Sequence, residues 1–135
     1  MSLLSDITDF IASDASIEAA FGASIQTGVN LYVGFVPVSP ANVITLFIMG
    51  GSPPEPGNKY KHNSHIQIRL RSTDFLTSYN TGQALIDQMH YNGNVLTNSN
   101  GILYAMQSSP IFVSRSDEDR RVIMTCNFEV SHVRY

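Results

Sequence analysis

The residues that could carry chemistry are few and lie far apart along the chain. Cys126 is the only cysteine, so the sequence supports neither an internal disulfide nor a multi-cysteine zinc site. It falls in an alternating apolar segment, where a cysteine is usually a small core residue. His132 lies six residues further along the same predicted strand, about 20 Å away, so the two cannot form a catalytic pair. We find no catalytic set, and we expect no enzymatic activity and no cofactor.

Two clusters contain residue types that bind metal ions. His62 and His65 are three residues apart where a loop meets a predicted strand, without further acidic or cysteine ligands nearby. The acidic run Asp117-Glu118-Asp119 lacks the spacing of a calcium-binding loop, and arginines flank it. Both patterns favour a solvated surface over a metal site, and we expect no bound metal.

A basic cluster is the strongest candidate for a binding surface. It combines two lysines of a loop with two arginines of the following strand: Lys59, Lys61, Arg69 and Arg71. Arg69 and Arg71 must point the same way, because residues i and i+2 of a strand share a face. Tyr60 is the only aromatic residue beside them, whereas grooves for single-stranded nucleic acid offer several stacking aromatics. A solvated polar face, a subunit interface and direct contact with nucleic acid all stay open at this point.

Composition is that of a folded protein with a partly covered surface. A length of 135 residues fits one domain spanning 1–135. Charged residues make up 14% of the chain, fewer than average, which suggests that a partner covers part of the surface. The longest apolar run, around residues 43–49, is too short to span a bilayer, and no signal peptide is visible. We therefore expect a soluble, cytosolic chain that does not contact a membrane.

Charge is unevenly distributed along the sequence. The first 58 residues contain five acidic residues and neither Lys nor Arg, whereas residues 59–135 hold all eight basic residues and six acidic ones. Such polarity suits a head-to-tail contact, in which the acidic part of one subunit meets the basic part of the next. The net charge of -3 argues against a dedicated DNA-binding protein.

The N-terminal part predicts helix followed by strands. Residues 2–21 show helical spacing and predict one interrupted helix or two short ones, with Ser2 and Asp14 as caps. Two strands are predicted at residues 31–37 and 43–49, the second buried on both faces. A hairpin is expected between them.

A long irregular loop is predicted over residues 50–63. Its run Pro53-Pro54-Glu55-Pro56 makes it stiff, and its length of about 14 residues is one at which loops are usually functional or disordered. The strand that follows, residues 65–71, has one apolar and one polar face.

A second helix is predicted over residues 78–91, capped by Asp74 or Thr77. Its expected buried stripe consists of Tyr79, Leu85, Ile86 and Met89. Gly82 weakens this helix by roughly 1 kcal/mol relative to alanine.

Two late strands complete the predicted fold, at residues 102–107 and 121–135. A short apolar segment and a charged turn at 114–120 separate them. The core face of the last strand is expected to comprise Val122, Met124, Cys126, Phe128 and Val130. The order α-β-β-β-α-β-β predicts a single α+β domain, in which a mostly antiparallel sheet of four to five strands carries two helices on one face.

Four segments, taken in order, resemble the small tail-terminator proteins of long-tailed phages, also known as minor capsid proteins. They are LLSDITDFI; LYVGFVPVSPANVITLFIMGGSPPEP; HIQIRLRS with the later QALIDQMHYN; and SSPIFVSRSDEDRRVIMTCNFEVSHV. They cover most of the chain at the family's typical length. The likeness lies in the series rather than in one motif, and the charged turn is more acidic here than is typical of the family.

The resemblance implies a structural protein of the virion. Such a subunit assembles into a ring, typically a hexamer, on the last ring of the tail tube. The ring stops tube polymerisation and forms the tail side of the head–tail joint at the neck. Its expected partners are copies of itself, the major tail tube protein and the neck or head-connector proteins, while DNA passes through the channel without specific binding. Assembly would take place in the cytoplasm of the bacterial host.

The resemblance also implies roles for particular residues. A docking loop between rings would comprise Gly51, Pro53, Pro54, Glu55, Pro56, Lys59, Tyr60 and Lys61. A subunit interface or the channel lining would comprise Arg69, Arg71, Asp117, Glu118, Arg120 and Arg121. Two alternatives stay open: a neck or tail-completion protein of similar fold that sits on the head connector, and a small nucleic-acid-binding module that uses Arg69 and Arg71.

Overall fold

The computed structural model describes residues 3–37, 40–52, 61–90, 102–116 and 121–133. The elements within these ranges are α1 (Leu3–Ser13), α2 (Ala15–Phe21), β1 (Leu31–Val33), β2 (Val43–Ser52), β3 (Lys61–Ser72), α3 (Phe75–Met89), β4 (Ile102–Gln107), β5 (Phe112–Ser116) and β6 (Val122–Val133). The predicted α+β class is confirmed. The sheet has six strands rather than four or five, because the short apolar segment and the first residues of the predicted charged turn form β5.

The sheet is mixed, with strand order β1-β2-β3-β6-β4, and β5 pairs with β6 as well. β6 pairs along its length with β3 on one side. On its other side β4 and β5 pair with different halves of β6, so together they form one edge of the sheet. β1 forms the opposite edge. Every pairing among β2 to β6 is antiparallel.

The predicted hairpin between the first two strands is wrong. β1 and β2 run parallel, with Leu31 beside Ile44. β1 ends at Val33, four residues earlier than predicted, because Gly34 takes a left-handed conformation with φ 86° that non-glycine residues rarely adopt. The chain then returns to the start of β2 at Val43.

The predicted loop at residues 50–63 is shorter than expected. β2 runs to Ser52 and β3 begins at Lys61, so paired strands occupy both ends of that stretch. A register irregularity just before Gly51 accommodates the longer pairing. Residues 53–60 lie outside the described ranges.

Two helices start at predicted capping residues, Asp14 and Asp74, while the predicted cap Ser2 lies outside the described residues. The Asp14 carboxylate accepts a hydrogen bond of 3.0 Å from the backbone N–H of Ile17, so the N-terminal pattern resolves into two short helices. The Asp74 carboxylate accepts one of 3.2 Å from the N–H of Leu76. This cap starts α3 at Phe75, three residues before the predicted start, and the helix ends two residues early at Met89.

All three helices contribute to one core with the sheet residues that face them. The sheet supplies Ile44, Leu46, Ile66, Ile68, Leu70, Cys126, Phe128 and Val130, and the helices supply Ile7, Ile11, Ile17, Phe21, Leu85 and Met89 among others. The predicted core face of the last strand is confirmed at four of five positions, while Val122 is half-buried. Two expectations are wrong: Tyr79 is 40% exposed, and β2 is buried on both faces only over residues 43–46, since Ile48 and Met49 are exposed.

Gly82 lies where α3 approaches the sheet most closely. A Cβ atom at this position would lie 2.8 Å from Cδ1 of Ile111 and 3.3 Å from both Sγ of Cys126 and Cδ1 of Leu70. The glycine therefore allows close helix–sheet packing, which offsets its low helix propensity.

Candidate functional site

The sheet surface opposite the core carries side chains that no described helix covers. We call it the helix-free face. Its side chains alternate with the core residues along β2, β3 and β6, and they include Thr45, Phe47, His65, Gln67, Arg69, Arg71, Thr125, Asn127 and Glu129. Because the face is polar at its centre and belongs to three adjacent central strands, it is a rigid surface on which a partner can be oriented.

Arg69 occupies the centre of the helix-free face in a fixed orientation. Its Cζ lies 4.6 Å from the centroid of the Phe47 ring, a cation–π arrangement. Its Nε donates a hydrogen bond of 2.8 Å to Oε1 of Gln67. The two terminal nitrogens have no hydrogen-bond partner among the described residues. The guanidinium is therefore held at one edge and one face, while its other donors remain available.

Two threonines flank Arg69 in the same row of the sheet. Thr45 pairs with Arg69 across β2 and β3, and Arg69 pairs with Thr125 across β3 and β6. Both hydroxyl oxygens are buried and lack a hydrogen-bond partner within the described ranges. A buried unsatisfied polar group typically costs about 1–3 kcal/mol, so this row combines buried hydroxyls and free guanidinium donors that no described acceptor satisfies.

Uncharged groups fill the neighbouring part of the face. Nε2 of Gln67 donates to Oδ1 of Asn127 at 3.3 Å, and Nδ2 of Asn127 donates to Oγ of Ser109 at 3.1 Å. These residues line a shallow cavity of about 370 Å³, with Met49 and His65 on its other side. Its lining combines amides, hydroxyls, an imidazole and apolar side chains, and it contains neither Lys nor Arg.

Arg71 lies two residues from Arg69 but is used inside the subunit. Its side chain is only 5% exposed. Its guanidinium donates to the backbone carbonyls of Pro37, Pro40 and Ala41, the last at 3.1 Å from Nε. It thereby ties the returning segment between β1 and β2 to the sheet. The structure separates the two arginines that the sequence presents as a pair.

The other predicted site residues are distributed along the chain. Gly51 lies in β2 and Lys61 in β3, while Arg121 is half-buried just before β6. The remaining ones lie outside the described ranges: Pro53, Pro54, Glu55, Pro56, Lys59, Tyr60, Asp117, Glu118 and Arg120. The roles given to these residues stay predictions.

Exposed apolar side chains at the two sheet edges were missed by sequence reasoning. The β1 edge patch consists of Val29, Val33 and Phe35, the last 56% exposed. At the opposite edge Phe112 is 43% exposed and pairs with Thr125, so it lies on the helix-free face in the row of Arg69. An apolar residue in a strand pattern predicts burial, and only the low content of charged residues pointed to surfaces of this kind.

The thiol of Cys126 is buried. Burial raises the pKa of Cys126 to about 12, so the thiol is protonated at neutral pH. Within the described part of the chain, no group of three or more His, Cys, Asp or Glu residues could hold a metal ion. None of the described helices is long and apolar enough to cross a bilayer.

Comparisons with known proteins identify relatives across nearly the whole chain. The model of a family described as "Bacteriophage tail terminator protein" matches residues 12–134. A solved chain from the "Virion of native gene transfer agent (GTA) particle" is 14% identical with a TM-score of 0.69, covering 98% of this chain and 95% of that one. A second solved chain is 11% identical with a TM-score of 0.52, covering 100% and 97%. At these identities the two structures show a shared fold. No curated protein matches the sequence.

Proposed function

Because the chain belongs to the bacteriophage tail terminator family, we propose that it caps the tail tube as a ring. The ring stops tube polymerisation and forms the tail side of the head–tail joint in the virion. The observation that carries this proposal is the family match over residues 12–134, which includes every strand and the helices α2 and α3.

Capping requires a ring whose two sides differ. The growing end of a tube presents surfaces that the next ring of tube protein would cover. A terminator ring covers those surfaces and presents different ones, so no further tube subunit can add. A heterologous ring meets this requirement, because all its subunits point the same way and its two sides are unlike.

The subunit has two exposed surfaces of different composition, and this difference supports a ring. The β1 edge patch is apolar, while the helix-free face combines Arg69 with Phe112 at the far side of the sheet. Contact between two different patches is heterologous, and such contacts close into rings when the rotation between subunits allows it. Six copies is the number that the family resemblance implies. We expect each contact to bury more than roughly 1,000 Å² in total, the usual threshold for a specific interface.

The connection between β2 and β3 is proposed as the contact to the next ring of the assembly. Gly51 and Lys61, the two predicted docking residues within the described ranges, lie in the paired ends of β2 and β3, which supports this proposal. The partners on the two sides of the ring would be the major tail tube protein and the neck or head-connector proteins. Genomic DNA would pass through the ring without specific binding. The helix-free face agrees with this, because Arg71 is buried and Arg69 is only partly exposed.

Deleting the gene in the phage tests the function directly. The proposal predicts tails of uncontrolled length, measured by electron microscopy of lysates, with length control restored by the gene supplied in trans. In a purified system, addition of the protein should stop the growth of tubes assembled from the major tail tube protein. Tails of normal length without attached heads would contradict termination and would favour the alternative of a neck protein on the head connector.

A further inference from the structure

We propose that Arg69 is the binding site for a carboxylate of a second copy of this chain, supplied by its acidic N-terminal helices. This inference rests on the proposed ring and specifies the contact between neighbouring subunits. Arg69 and its surroundings on the helix-free face form the accepting surface. The β1 edge patch together with α1 forms the presenting surface.

The guanidinium of Arg69 is pre-organised for a planar anion. The cation–π contact with Phe47 and the hydrogen bond from Nε to Gln67 hold the guanidinium from two directions. The terminal nitrogens, which lack partners among the described residues, then present donors in the geometry that binds a carboxylate through two parallel hydrogen bonds. A group already held in its binding orientation loses little conformational entropy when the ligand arrives.

The side chains next to Arg69 in this row of the sheet are uncharged. The hydroxyls of Thr45 and Thr125, on either side of Arg69, are buried without a hydrogen-bond partner within the described ranges. Phe47 and Phe112 border the same row with apolar surface, Phe112 being exposed. The Phe47 ring excludes water from one side of an ion pair formed at Arg69, which strengthens the pair relative to a fully exposed one.

The surroundings of Arg69 favour a single carboxylate over nucleic-acid phosphates. Binding along a nucleic-acid backbone uses several cationic side chains, each contacting one phosphate. On the helix-free face as described, Arg71 is buried and bonded to carbonyls, and Glu129 adds a negative charge. Gln67 and Asn127 next to Arg69 are neutral. Among the residues whose side chains the structure describes, Arg69 is the cation with free donors on this face, and it is suited to one specific ion pair.

Charge complementarity identifies the N-terminal helices as the source of the carboxylate. No Lys or Arg occurs in the first 58 residues, so the acidic residues of α1 and α2 have no basic neighbour in sequence. Asp6 is buried, Asp14 caps α2, and the Glu18 carboxylate accepts from the N–H of Ile25. Asp9 is exposed, and α1 packs beside β1. Asp9 therefore belongs to a helix adjacent to the strand that carries Val33 of the β1 edge patch.

Charge-swap variants of the full chain test the pair. Assembly is measured by sedimentation velocity and native mass spectrometry over a range of protein concentrations. Arg69→Gln, Arg69→Asp and Asp9→Arg should each raise the concentration needed for ring formation by about tenfold or more, as expected for loss of a desolvated charge pair. The double variant Arg69→Asp/Asp9→Arg should regain most of the wild-type assembly.

The matched control Arg69→Asp/Asp87→Arg uses an exposed acidic residue of α3 and should not recover. Circular dichroism of each variant at low concentration verifies that the subunit remains folded.

The results separate this inference from the proposed function. Wild-type rings that cap tubes, together with unchanged assembly of Arg69→Gln, would overturn the carboxylate site and leave the terminator function standing. Recovery with Asp87→Arg instead of Asp9→Arg would overturn the assignment to the N-terminal helices. Salt-dependent binding of duplex DNA that is lost in Arg69→Gln, with normal assembly, would assign Arg69 to nucleic acid and overturn the inference. A wild-type chain that neither forms rings nor stops tube growth would contradict the proposed function itself.

Discussion

Arg69 and Arg71 project from the same face of β3, but only Arg71 is bonded to backbone carbonyls of its own subunit. Its guanidinium holds the segment that returns from β1 to β2, whereas Arg69 stacks on Phe47 and keeps its terminal donors free of described partners. Neighbouring residues of the same type therefore serve different purposes, one in folding and one on the surface.

Replacing Arg71 should destabilise the subunit. Arg71→Met keeps the length of the side chain but leaves three carbonyls without their donor, and we expect a loss of about 2–4 kcal/mol in the free energy of unfolding. Urea denaturation followed by circular dichroism measures it. Arg69→Met is the matched control, with an expected change of less than about 1 kcal/mol, because this side chain is partly exposed. Equal losses in the two variants would contradict the division of roles.

Replacing Phe35 should weaken assembly without unfolding the subunit. Phe35 is 56% exposed in the β1 edge patch, so Phe35→Ser should change the free energy of unfolding by less than about 1 kcal/mol. If the patch is the presenting surface, ring formation should require a markedly higher protein concentration, measured by sedimentation velocity. Leu76→Ser removes an even more exposed apolar side chain from α3 and should leave ring formation unchanged. The opposite ranking of the two variants would assign the interface to α3.

Adding a methyl group at Gly82 should destabilise the packing of α3 on the sheet. Alanine improves helix propensity by about 1 kcal/mol, but overpacking typically costs about 1–3 kcal/mol. We expect Gly82→Ala to lower the free energy of unfolding by about 1 kcal/mol, measured by thermal or urea denaturation. Combining it with Ile111→Val removes the Cδ1 atom at 2.8 Å and should recover part of the loss. A stabilising Gly82→Ala would show that helix propensity outweighs packing at this position.

Cys126 should be unreactive in the folded protein. Burial raises its pKa from 9.0 to about 12, so reaction with a thiol reagent at pH 8 should be slow in buffer and fast in urea. The thiol ionises near pH 9 in the unfolded chain and near pH 12 in the folded one. The part of the free energy of unfolding that depends on this thiol is therefore highest below pH 9 and decreases as the pH rises towards 12. Cys126→Ala should lack that part of the pH dependence. Rapid labelling under native conditions would mean that the strand opens locally.

The sequence was sufficient where local physics decides the structure. Asp14 and Asp74 are the helix caps that their residue types indicate, and the alternation of Ile66 and Ile68 with Gln67 and Arg69 marks the two faces of β3. Long-range pairing was not predictable in the same way. A short connection between strands normally indicates a hairpin, yet β1 is parallel to β2 because Gly34 turns the chain back and Arg71 bonds the returning segment.

The surface was harder to predict than the fold. Spacing alone places Arg69 and Arg71 on one face, but the acceptors of Arg71 are backbone carbonyls, which leave no mark in the sequence. The exposure of Phe35 and Phe112 could not be predicted either. An aromatic residue gives the same sequence pattern in a strand whether that edge of the sheet is covered or exposed to solvent. Both properties depend on which strands end up at the edges of the sheet.

The position of β6 between β3 and the β4–β5 edge governs when this chain can finish folding. Ser72 pairs with Val122 and Lys61 pairs with Val133, so the central strand pair is closed across a long stretch of intervening chain, at an entropic cost that grows with its length. Topologies dominated by such distant pairings fold slowly. Until β6 arrives, β3 is an open edge with Ile66, Ile68 and Leu70 uncovered on one side, a template for pairing with other chains. We therefore expect the chain to be most prone to aggregation before β6 pairs with β3.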